Sequence, residues 1–217
     1  MALRLRRLLP IIALLLGACG ADLSKDDAAL ADAAILIMKG WEVGTAEQGE
    51  QTNRRTIENG VEFTHIEKNA LIATAVEQFQ DVKDSIWQRE RVSVGLAEKC
   101  VLDVRSAMSY SIGQSKEEFR DVAFEPPKAV RYDLGKVLRL DLDLVKRFRL
   151  WAKVDMEGPG VACTGGECLD KVTFRSKTAV RGDASISDQA ALLEAFERAI
   201  QVVKKSCPLR ERTQQAS

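Results

Sequence analysis

The sequence predicts an α+β body: an antiparallel β-sheet packed against a C-terminal amphipathic helix, with a second helix near the N-terminus. Three observations carry this. Between positions 137 and 180, three successive segments alternate strictly between apolar and polar residues, the period of a sheet with one buried and one solvated face. Positions 187–203 then place Leu192, Leu193, Phe196, Ala199, Ile200 and Val203 along one helical side. Near the start, Leu30, Ala34, Ile37, Met38 and Trp41 recur on a single helical stripe.

Taken in order, Ser24 offers an N-cap with Asp27 at the third helical position, and Gly40 offers a stop. The stripe suits docking on a core. As an interfacial helix it would present Asp26, Asp27 and Asp32 where anionic lipid calls for Lys or Arg. Positions 44–52 read as a loop. Asn59-Gly60 tolerates the positive φ of a type I′ turn and predicts a hairpin between 52–58 and 61–67. Positions 69–80 fit helix or strand and are read as strand. Further strands are predicted at 91–96 and 99–106, with Cys100, Leu102 and Val104 on one face, and Pro126-Pro127 breaks the chain before a strand at 130–134.

The clearest pattern follows. Leu138, Leu140, Leu142 and Leu144 alternate with Arg139, Asp141 and Asp143. Phe148, Leu150, Ala152, Val154 and Met156 alternate with Arg149, Trp151, Lys153 and Asp155. After a connection at 158–168, Val172, Phe174, Ser176, Thr178 and Val180 alternate with Lys171, Thr173, Arg175 and Lys177. The last helix takes Ser187 as its cap, ends on Lys204 and Lys205, and is followed by Pro208 and a tail at 210–217 predicted to be disordered. A run of antiparallel strands closed by one helix is similar in element order to pleckstrin-homology-like sheets, and element order does not fix function.

The first residues form three zones. Arg4, Arg6 and Arg7 precede an apolar run at 8–16, too short for a spanning helix of about 20 residues but suited to a signal peptide. Leu16-Gly17-Ala18-Cys19 closes it. This quartet resembles the lipobox of bacterial lipoproteins. The resemblance covers residues 1–19 and implies diacylglyceryl transfer to the Cys19 sulfur, cleavage after Ala18 and acylation of the new amino group. It divides the chain into a signal peptide at 1–18, a lipidated cysteine with a short linker at 19–24, one domain at 25–208, and the tail. In Gram-negative relatives of this kind, aspartate directly after the cysteine tends to retain the protein in the inner membrane. Gly20 stands there, with Asp22 two positions on, so the resemblance places the protein at the outer membrane, facing the periplasm.

The 217-residue chain carries 32 basic and 32 acidic residues. Loss of the three signal arginines leaves 29 against 32, a net charge of −3. There is no basic excess to suit nucleic acid, and no later apolar run long enough to span a bilayer. Cys100, Cys163, Cys168 and Cys207 remain, an even set that in an exported protein reads as disulfides. Of the three possible connectivities, Cys163–Cys168 with Cys100–Cys207 is favoured. The first would close a tight loop, and the second would staple the C-terminus to the body.

Catalytic and metal templates find little purchase. His65 is the single histidine, which removes most metal-site templates, and nothing beside it resembles an oriented triad. Of the turn glycines, neither Gly158-Pro159-Gly160 nor Gly165-Gly166 both follows a strand and opens a helix, as a phosphate-cradling loop must. Asp141 and Asp143 lie about 7 Å apart on one strand face, a separation some glycosidases use, but Arg139, Arg149 and Lys153 make a surface charge ladder the simpler account. Trp151, between Arg149 and Lys153 on the outer face, is a candidate binding contact unless the N-terminal helix and Trp41 cover that side.

The expected function is a lipid-anchored, non-catalytic binding or structural module, without cofactor. It would contact an envelope protein or an apolar ligand through the Trp151 face or a groove under the C-terminal helix. The runner-up is an envelope hydrolase using scattered carboxylates or serines.

Overall fold

The computed structural model describes residues 23–41, 59–67, 69–80, 85–113, 118–119, 121–146, 149–181 and 186–209. Helix α1 spans Lys25–Lys39 and helix α2 spans Ile186–Ser206. Between them run β1 (Asn59–Glu67), β2 (Ala70–Gln80), β3 (Ser85–Glu98), β4 (Val101–Ile112), β5 (Lys128–Asp133), β6 (Arg139–Lys146), β7 (Arg149–Thr164) and β8 (Glu167–Arg181). The α+β class, with an antiparallel sheet and a helix from each end of the chain, is as the alternation predicts.

Every pairing is antiparallel. The sheet runs β1-β2-β3-β4-β5-β7-β6, with β8 on the other edge of β7. Strands β5 and β6 share one edge of β7: Arg131 and Tyr132 oppose Cys163 and Ala162, while Arg139 through Lys146 oppose Glu157 through Leu150. A 3-10 turn at Leu134–Lys136 bends the chain between them, its first turn capped by the Asp133 carboxylate accepting from the Gly135 amide. Gly158 of β7 faces this bend so closely that an added Cβ would sit 2.1 Å from the Lys136 carbonyl oxygen. No other residue fits there without moving the backbone.

Both helices lie on the inner face of the sheet. The Ser24 hydroxyl accepts from the Asp27 amide, and Gly40 closes α1 in the left-handed conformation with its amide on the Leu36 carbonyl. Ala28, Leu30, Ala31, Ala33, Ala34, Ile35 and Ile37 are all buried, so the helix is enclosed on nearly every side, as an apolar helix inside a core must be. It packs on α2 and β8 and, across the sheet, on β2 and β3. The sheet therefore curves around it. Leu71, Val92, Leu102, Tyr132, Val154 and Phe174 supply the inner face, and Phe196, Ile200 and Val203 of α2 close the layer. Leu23, assigned above to the linker, is buried in this core.

Several expectations are corrected. Asn59-Gly60 makes no turn: both residues sit in the β1 ladder, opposite Glu77 and Val76, and 52–58 lie outside the described residues. Strands β3 and β4 are much longer than 91–96 and 99–106. Lys99 and Cys100 form their turn, with Cys100 at φ 67°. The 158–168 stretch is mostly strand, and the β7–β8 connection shrinks to Gly165-Gly166, both at positive φ. Leu138 is exposed because the preceding bend turns Val137 inward instead. Helix α2 starts one residue before Ser187, which therefore lies in its first turn. The loop at 44–52 and the tail at 210–217 fall outside the described residues. Among those described, no helix is long and apolar enough to cross a membrane.

The cysteines pair as favoured, Cys100 with Cys207 and Cys163 with Cys168. The first joins residues 107 apart in sequence and ties the end of α2 to the β3–β4 turn. The second clasps directly opposed residues of the β7–β8 tip, only 5 apart. Chain-entropy arithmetic assigns the long closure about 4–5 kcal/mol and the short one about 2 kcal/mol. Serine replacement of Cys100 with Cys207 should lower the denaturation midpoint well beyond the same change at Cys163 with Cys168, and equal losses would contradict this division. Gly158→Ala should destabilise by more than about 1 kcal/mol in the same assay.

Candidate functional site

Alternation brings even-numbered residues of β3 and β4 to the inner face and odd-numbered ones to the outer. Val92, Val94, Leu102 and Val104 are buried under the helices. Beyond them the inner face continues past the end of α1. Gln88 lies opposite Tyr110, Glu90 opposite Met108, and Ile86 opposite Ile112. Met108 is 38% exposed, Tyr110 51% and Ile112 55%, so the side of the sheet that forms the core emerges into solvent there as an apolar strip.

A cleft of about 200 Å³ adjoins the strip, lined by Met38, Lys39 and Trp41 from the end of α1, Ala75 of β2, Gln88 and Glu90 of β3, and Arg175 of β8. The Glu90 carboxylate anchors it. Lys39 Nζ donates to Glu90 Oε1 at 2.6 Å, and the Ser106 hydroxyl donates to the same oxygen at 2.7 Å. These bonds tie α1 to β3 and β4 and neutralise the one acid of the cleft. Arg175 has no ion-pair partner among the described residues, so the lining keeps a net positive charge.

The outer face at the same end is closed. Arg89 donates through Nε to the Ser109 hydroxyl at 3.3 Å and through a terminal nitrogen to the Val122 carbonyl at 2.8 Å. Its guanidinium lies over Phe119 and Phe124, and that of Arg91 lies 4.3 Å from the Phe124 ring centre. Trp87 stacks on Phe119 at 6.1 Å. The stretch before β5 is thus held across the outside of β3 and β4, covering Ser109 and Ser111.

The predicted face lies elsewhere. Trp151 stands between Val145 of β6 and Lys177 of β8, and the next row reads Asp143, Lys153, Arg175. The side chains of Trp151 and Arg149 lie outside those described, as does that of His65, whose backbone opposes Ile72 in β1. Helix α1 packs on the inner face, while Trp41 also lines the cleft with Arg175, two residues from the Lys177 that opposes Trp151. Lys153 is committed to Asp155 at 2.6 Å. Arg139 pairs with Asp141, and Lys171 pairs with Glu157. The rows form the charge ladder that alternation predicts. Among the described residues no group of three His, Cys, Asp or Glu side chains is placed to hold a metal ion.

The apolar strip was missed because the predicted strand stopped at Ser106. A period-two signal was present in Ala107-Met108-Ser109-Tyr110-Ser111-Ile112. No known protein family, curated protein or solved structure matches this chain.

Hydrogen bonds from Lys153 and then Thr173 hold the Asp155 carboxyl below the usual carboxylate range, and Lys171 does the same for Glu157. A carboxyl whose pKa is lowered on folding stabilises the fold above its unfolded pKa and loses that contribution as pH falls through its folded one. The effect is small at such exposed sites. Lys153→Met should raise the Asp155 pKa in a carbon-detected NMR titration. An unchanged value would assign the shift to Thr173 alone.

Proposed function

We propose that this chain is a cell-envelope lipoprotein, anchored through lipid on Cys19 at the periplasmic side of the outer membrane, whose body is a non-catalytic binding module. The observation that carries the binding reading is the apolar strip of Met108, Tyr110 and Ile112, exposed on the face that elsewhere forms the core. Three such side chains in a row at the rim of a cleft suit a partner contact better than a solvated surface. The carboxylate of the cleft is already bonded to Lys39 and Ser106, which suits recognition more than acid–base work.

Support for the anchor comes from the signal-like residues and from the two disulfides, which belong to oxidising compartments. With Leu23 in the core, Gly20, Ala21 and Asp22 alone separate the lipidated residue from the body, a reach of roughly 14 Å. The body would rest close to the bilayer. Strands closed by a C-terminal helix support a pleckstrin-homology-like element order, with α1 as an addition.

Cys19→Ala should abolish incorporation of radioactive palmitate and release the protein from the membrane fraction. Unchanged labelling would refute the anchor. For the binding reading, a photo-crosslinking amino acid at position 110 should give a discrete adduct in intact cells, whereas the same group at Leu169, another exposed apolar residue, should not. Loss of selectivity between the two positions would count against the module.

A further inference from the structure

The apolar strip lies along a sheet edge that no strand among the described residues pairs with. Strand β5 pairs with β4 from Val101 to Ser106 and no further, since Pro126-Pro127 follow in the register and proline has no amide to donate. One backbone bond continues the ladder, from the Glu125 amide to the Met108 carbonyl at 2.7 Å. The chain then leaves across the outer face, where Phe124 meets Arg89 and Arg91. Since Met108 directs its carbonyl to that edge, the even-numbered residues of β4 present their backbone groups there and the odd-numbered ones face β3. Positions 108–112 therefore offer the Tyr110 N–H and C=O to the edge, flanked by Met108 and Ile112. Natural sheets guard such edges with charge, proline or a covering segment. From Ala107 to Gly113 this chain has no charged residue.

We propose that this edge takes an extended peptide as an added strand, with apolar side chains at alternate positions laid on the inner face beside Met108, Tyr110 and Ile112. The proposal rests on the binding-module reading and names its mode. Main-chain bonds to Tyr110 supply affinity, and the apolar strip supplies register and specificity. The size of the edge selects the partner. Five residues and three half-exposed side chains fall well short of the roughly 800 Å² per partner of a stable protein–protein interface, yet match one short strand. Charge selects further. Glu90 is neutralised by Lys39, and Arg175 leaves the neighbouring cleft cationic, so a neutral or acidic segment fits and a basic one does not.

The mature chain with Cys19→Ser can be titrated with a fluorescein-labelled peptide alternating Val and Thr and ending in Glu. Saturable anisotropy is expected, with a Lys-for-Val version binding at least tenfold more weakly. Tyr110→Pro removes the edge amide while leaving every bond to β3, and Ile112→Lys charges the strip. Each should weaken binding at least tenfold, with Leu169→Lys unchanged and the folds compared by circular dichroism. Amide exchange gives a check independent of folding. The Tyr110 amide should exchange freely in the unbound protein and slow at least tenfold with peptide, while those of Ser109 and Ser111 stay protected throughout. The proposal is overturned by a protected Tyr110 amide in the free protein, by affinity indifferent to both edge variants, or by a self-association that Ile112→Lys abolishes, which would assign the edge to a second copy. Failure here with position-110 adducts intact would sink strand addition alone. Loss of those adducts as well would sink the binding module.

Discussion

The architecture depends on one buried helix. Helix α1 has apolar residues around most of its circumference, so a flat sheet covering one side could not satisfy it. The sheet curls until β2 and β3 on one flank and β8 on the other both reach the helix, and α2 closes what remains. A mismatch of rise follows. Fifteen helical residues cover about 22 Å, while the 14 residues of β3 and 12 of β4 extend roughly 40 Å or more. Past Gly40 no helix among the described residues covers the inner face, and the apolar alternation of β4 continues into solvent.

A second constraint decides which backbone is left unpaired. Two prolines end the β4–β5 ladder, and Arg89 draws the preceding stretch over the outer face through a hydrogen bond and two ring contacts. The outside of β3 and β4 is thereby closed, while among the described residues no strand pairs with the edge and nothing covers the inside at Met108, Tyr110 and Ile112. The outer face of β6, β7 and β8 is a solvated charge ladder, in which the pairs Arg139–Asp141, Lys153–Asp155 and Lys171–Glu157 contribute modestly to stability.

Legibility in the sequence followed the physics of each signal. Alternation located β6, β7 and β8 because one face is buried and the other wet. The caps Ser24 and Gly40 bounded α1 almost to the residue because capping is local hydrogen-bond chemistry. Local signals failed where a long-range partner set the conformation. Asn59-Gly60 has turn chemistry but pairs in a ladder with β2. Gly158-Pro159-Gly160 reads as a loop but lies in a strand that bulges past the β5–β6 bend. Leu138 fits the alternation and is exposed, because that bend resets which residue points inward.

The sequence by itself determined the α+β class and the caps of α1, since these follow from periodicity and local hydrogen bonding, and it favoured one of three cysteine pairings, the one the structure shows. It also carried the apolar–serine alternation of 107–112, but nothing local distinguishes a strand that a helix covers from one that it does not. Only the tertiary structure decided that, because coverage depends on where α1 ends against strands distant in the chain and on which side of β4 the segment before β5 crosses.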